Sequence, residues 1–123
     1  MLGLMDADQA IADLTEISPQ VKEVVVISAD GSVGGANAPS ARAESIAAAA
    51  QKLLAEAGDG VAQLEAATAH GSVFIVRDGD RVIAATTTPE PTVGLVFYDL
   101  KTCLRSIDEP KPKRTRKKPD AAA

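Results

Sequence analysis

The sequence predicts an α/β protein of the α+β type, a three-layer α/β/α sandwich around a five-stranded antiparallel sheet. Three observations predict it. Hydrophobic periodicity gives the order helix, two strands, helix, three strands, helix. The strands are joined by Ala29-Asp30-Gly31-Ser32, His70-Gly71 and Asp78-Gly79-Asp80. Such turns suit hairpins and therefore an antiparallel sheet. The strands contain the apolar runs Val24-Val25-Val26-Ile27, Val73-Phe74-Ile75-Val76 and Val82-Ile83-Ala84-Ala85. Strands apolar on both faces need cover on both faces. Three helices provide it only by dividing between the two sides.

The first helix is expected over Asp6–Ile17, with Asp6 as cap, Gln9 completing a capping box, and Ala7, Ala10, Ile11, Leu14 and Ile17 as its apolar stripe. Ser18-Pro19 ends it, because proline disfavours helical geometry in the residue before it. Val21–Ser28 reads as a strand. A second, Ser32–Ala36, is weakened by Gly34 and Gly35 and suits an edge. Ser40 is expected to cap the longest helix, Ser40–Ala57, which Gly58 terminates. Its buried face is Ala43, Ile46, Ala47, Ala50, Leu53, Leu54 and Ala57. Three strands follow, Val61–Ala69, Ser72–Arg77 and Arg81–Thr87. After the stiff Thr88-Pro89-Glu90-Pro91 loop, Thr92 caps a last helix to about Ile107, buried through Val93, Val96, Phe97, Leu100, Cys103, Leu104 and Ile107.

A chain of 123 residues fits one domain. Its core must come from Val, Ile, Leu and Ala, since Phe74, Phe97 and Tyr98 are the only aromatics. Residues 1–109 hold 7 basic and 16 acidic side chains, whereas 110–123 hold six basic and one acidic. The reading is thus an acidic domain over 1–109 with a disordered basic tail over 110–123 that contains Pro110, Pro112 and Pro119. The tail has three readings: a binder of nucleic acid or anionic lipid, a contact for an acidic protein surface including its own domain, or a solubilising end. It has no interleaved aromatics for base stacking. One cysteine makes neither a disulfide framework nor a zinc site. The start lacks the basic and apolar regions of a signal peptide, and the longest uncharged runs, Gly31–Ala41 and Ala66–Val76, are 11 residues each. A cytoplasmic protein is expected.

No residue set points to catalysis, a metal or a cofactor. His70 is the only histidine and sits in a turn. Cys103 lies on an apolar stripe and reads as a buried small hydrophobe. Gly31-Ser32-Val33-Gly34-Gly35 lacks the lysine and hydroxyl pair of a phosphate loop. Asp30, Asp78 and Asp80 all stand in turns, where aspartate is favoured for backbone reasons.

The element order, with Val24–Ser28 running into Ala29-Asp30-Gly31 and with Thr92-Val93-Gly94-Leu95-Val96-Phe97-Tyr98-Asp99-Leu100 opening the last helix, resembles the roadblock family, whose fold is related to longin and profilin-like domains. The resemblance spans about residues 6–107, and the chain departs from it in having a short first helix. It implies a homodimer in which the middle helices pack together and the third strands pair edge to edge. Ala41, Ala48, Ala49 and Ala55 on the outer face of Ser40–Ala57, with Gln63 and Glu65 on the third strand, are the expected dimer contacts. Small side chains permit close helix approach, although alanine is also the best helix former. The third strand carries no lysine or proline to guard its edge. The resemblance further implies a non-enzymatic partner of a small Ras-like GTPase; the contacts expected for it are the exposed polar positions of the middle helix, Arg42, Gln51, Lys52 and Glu56. A scaffold subunit of a multiprotein assembly is the alternative.

Overall fold

A computed structural model describes residues 6–107. The basic tail expected at 110–123 lies outside them. The elements are α1 (Ala7–Ile17), β1 (Val21–Ile27), β2 (Val33–Ala36), α2 (Ser40–Ala57), β3 (Gln63–Thr68), β4 (Gly71–Asp78), β5 (Arg81–Thr87) and α3 (Val93–Ser106). All five strands form one antiparallel sheet in the order β2-β1-β5-β4-β3. The expected three-layer sandwich is therefore what forms.

Strand alternation sorts the apolar runs onto two cores. Val24, Val26, Phe74, Val76, Ile83 and Ala85 face α1 and α3, where they meet Ala10, Ile11, Leu14, Val96, Leu100 and Leu104. Val25, Ile27, Ile75, Val82 and Ala84 face α2, where they meet Ala43, Ile46, Ala47, Ala50 and Leu54. Phe74 is fully buried, and its ring meets Phe97 edge to face at 4.9 Å and 71°.

The helix ends differ in detail from the sequence reading. Asp6 accepts the Gln9 backbone N–H at 2.8 Å, as expected of a cap. The Gln9 side chain instead donates forward to Asp13 Oδ1 at 3.1 Å, so the capping box is not closed. Ser40 is already helical; Pro39 holds the cap position and supplies no side-chain bond. Thr92 is the α3 cap without a hydroxyl bond, and its own N–H donates to Gln20 Oε1 at 2.6 Å. Gly58 ends α2 with φ +110° and donates to the Leu54 carbonyl. Ile17, expected on the α1 stripe, is 66% exposed because the last helical turn overhangs the core. Val93 and Ala57 are exposed for the same reason at their helix ends. β3 begins at Gln63, two residues later than expected, because the preceding chain turns around Arg77, whose Nη2 donates to the carbonyls of Gly58, Asp59 and Val61.

Gly71 opens β4 at φ +146°, and a Cβ there would stand 2.1 Å from the Thr87 carbonyl oxygen. Gly71→Ala therefore combines an unfavourable backbone region with a clash against β5. A loss of at least about 2 kcal/mol is expected, read as a lower urea midpoint at unchanged slope.

Candidate self-association and partner-binding surface

The two sheet faces are not equally covered. Two helices, α1 and α3, lie on one face, whereas α2 alone lies on the other and packs against β1, β2 and β5. Five strands about 4.8 Å apart are wider than one helix about 10 Å across. The α2 layer therefore stops short of β3. Along that rim Leu53, Val61, Leu64 and Val73 are only half-buried against the core. β3 is an edge strand paired with β4 alone among the described strands, and Gln63 and Glu65 are exposed on it.

The gap continues into a groove of about 290 Å³ beside the first turns of α2, lined by Glu23, Arg42, His70, Ser72, Val73 and Thr86 among others. Arg42 reaches across its wall to Glu23, with Nη2 2.9 Å from Oε1 and Nε 3.1 Å from Oε2. Thr86 Oγ1 also donates to Glu23 Oε1, at 3.2 Å. The hydrogen bond from Arg42 is the main reason the Glu23 carboxyl titrates below its ordinary range, and Glu23 in turn raises Arg42. Both partners thus stay charged near neutral pH.

All ten expected contact residues are at the surface, but helical geometry redistributes them. Residues seven apart share a row along a helix. Arg42, Ala49 and Glu56 form one row, and Arg42 fixes its direction, toward Glu23 and Thr86 on the uncovered side. Gln51 marks the opposite flank, where its Nε2 donates to the Gly31 carbonyl at 3.4 Å. Ala55, one turn after Gln51, lines a groove on that flank. Ala48 stands one turn before Gln51, and Ala41 stands seven residues before Ala48. Lys52 projects between the two rows, with Ala48, Ala49, Ala55 and Glu56 as its neighbours three and four residues away. The α2 residues expected to bind a second copy and those expected to bind another protein are therefore interleaved on one helix, while Gln63 and Glu65 stand apart on β3. Of the four alanines, Ala49 is the one beside the open sheet.

The half-covered face was not singled out from the sequence. Its signal was the helix count: three helices over two faces leave one face with a single helix.

The titratable residues considered for chemistry are dispersed. His70 is exposed in the β3–β4 turn, and among the described residues no three His, Cys, Asp or Glu side chains cluster as a metal site. Cys103 is buried against the α1–α3 core. Desolvation, with a smaller contribution from the Asp13 charge, pushes its thiol up to about 11. Only about one thiol in a thousand is then ionised at pH 8. Ellman's reagent is expected to leave Cys103 unmodified in native protein at pH 8 and to label it fully in 6 M guanidinium. No helix among the described residues is long and apolar enough to cross a membrane.

This arrangement defines a three-layer α/β/α domain with one unfinished face. Among solved structures it is similar to two roadblock/LC7 domains from Streptomyces avermitilis. One has a TM-score of 0.72 and 20% identity over 83% of this chain and 94% of that one. The other also has a TM-score of 0.72, with 24% identity over 84% of this chain and 99% of that one. It is also similar to Myxococcus xanthus MglB, with a TM-score of 0.58 and 15% identity over 81% of this chain and 89% of that one. No protein-family model and no curated protein sequence matches the chain. The chain has the roadblock/LC7 fold.

Proposed function

We propose that this protein is a non-enzymatic homodimer that regulates a small Ras-like GTPase by binding it. The observation that carries the self-association is the unfinished α2 layer. A second copy related by a two-fold axis lays its own α2 over Leu53, Leu64 and Val73, and brings its β3 to the open β3 edge. That contact is isologous and closes on itself. It buries the rim that one helix leaves half-exposed, at about 25 cal/mol per Å² of apolar surface.

The GTPase assignment rests on the roadblock resemblance and on the fold shared with MglB, at low identity. In this reading the dimer supplies no catalytic side chain. It binds the conformation of the GTPase switch loops that is competent for hydrolysis, and so raises its population. Arg42, Ala49 and Glu56 belong to the self-association face, which leaves Gln51 and Lys52 as the polar α2 positions for the GTPase.

The test is an affinity capture from native lysate with the full chain as bait, in a non-hydrolysable GTP analogue and in GDP. Recovery of a small GTPase mainly in the GTP-like state is expected. Nucleotide-indifferent recovery of a multiprotein set would contradict the regulator reading in favour of a scaffold.

A further inference from the structure

A second groove, of about 410 Å³, opens at the other end of α2, between its last turns, the β1–β2 turn and the β4–β5 turn. Its floor is apolar, made by Ile27, Leu54 and Val82, and Asp80 stands on its wall. Asp30 stands next to the lining residue Gly31, its Oδ1 accepting from the Ser32 N–H at 3.0 Å and the Ser32 hydroxyl at 2.6 Å. Among the described residues the one cation lining it is Arg77, whose Nη2 is already engaged by the carbonyls of Gly58, Asp59 and Val61.

The chain leaves α3 at this same end. Arg105 Nε lies 2.9 Å from Asp78 Oδ2, and Arg81 Nη1 donates to the Ile107 carbonyl at 3.4 Å. The last described residue is thus tied to the start of β5, next to Asp80. Four residues on comes Lys111, within at most about 14 Å of extended chain. That is long enough to cross a tight turn. Residues 110–118 hold six basic side chains and no acidic one, with Pro110 and Pro112 favouring an extended backbone.

From this complementarity of charge and position we infer that the groove is a docking site for a basic, proline-containing peptide, and that its occupant is this chain's own segment 110–118. The basic side chains meet Asp80 and Asp30, and the proline rings and lysine stems cover Ile27, Leu54 and Val82. Gln51 and Ala55 line the same groove. The docked tail therefore shares the α2 flank assigned above to the GTPase. That consequence rests on the functional reading; the tail contact does not, and it is tested on the protein alone.

The test is paramagnetic broadening in the ¹⁵N-labelled full chain carrying a nitroxide at Thr115→Cys. The backbone amides of Gly31, Ala55, Gly79 and Asp80 are expected to lose about half their intensity or more at low salt, and to recover it in 0.5 M NaCl as screening shortens the reach of the charges. Asp80→Lys is expected to restore these intensities without added salt. Unchanged intensities, or broadening centred on another surface, would overturn the site. Equal broadening in ¹⁵N-labelled chains that carry no nitroxide, mixed with unlabelled spin-labelled chains, would assign the groove to a second copy's tail and overturn the occupant.

Discussion

Ala49→Glu is expected to turn the proposed dimer into a monomer that remains folded. The side chain is exposed in the single chain, so a glutamate there stays solvated and changes folding stability by no more than about 0.5 kcal/mol. In the proposed dimer it would sit at the contact between α2 and the second copy, in the row that also holds Arg42 and Glu56. Burying an unpaired carboxylate costs about 3–5 kcal/mol, which weakens association by roughly 100-fold to several thousand-fold. Size-exclusion chromatography with light scattering reads the change directly. Ala55→Glu is the matched control. It lies on the opposite flank of the same helix, lining the second groove, and is expected to leave the dimer intact. Equal effects at both positions would mean that the whole outer face of α2 is buried on association, as a reading of the alanines alone suggests.

Phe74→Ala is expected to cost about 3–5 kcal/mol of folding stability. This ring lies on a central strand, pairs with Ala85 and Glu65 across the sheet, and is fully buried under α3. The chain has only two phenylalanines, and they touch each other. Removing one leaves a cavity in the core shared with Val24, Val26, Val76 and Ile83, whose strands are held by the sheet register and cannot collapse into it. For a domain of this size such a loss is a large share of the total stability of about 5–15 kcal/mol. A urea titration at fixed protein concentration measures it. Phe97→Ala is expected to cost less, because Phe97 is only partly buried at the margin of the core.

The fold was largely legible because its signals are local. Continuous β-branched runs announced strands covered on both faces, and Gly31 and Gly79 mark their turns with positive φ. The face of α2 that packs on the sheet followed from periodicity at Ala43, Ile46, Ala47, Ala50 and Leu54. Chain ends of elements were less legible. Whether Ser40 or Pro39 holds a cap, or whether Gln9 bonds backward to the cap or forward to Asp13, depends on competing hydrogen bonds of similar strength. The division of the α2 surface was not legible at all. Which flank of a helix faces an open sheet depends on where that helix sits across five strands. Only long-range contacts, Arg42 to Glu23 and Gln51 to Gly31, decide this. No spacing within Ser40–Ala57 encodes it.

Sedimentation equilibrium of the unmodified chain at micromolar concentration reads whether a second copy completes the α2 layer. A mass of twice the 12.6 kDa of one chain is expected, falling to that of a single chain with Ala49→Glu. A mass of one chain for the unmodified protein, unchanged up to 100 µM, would contradict it.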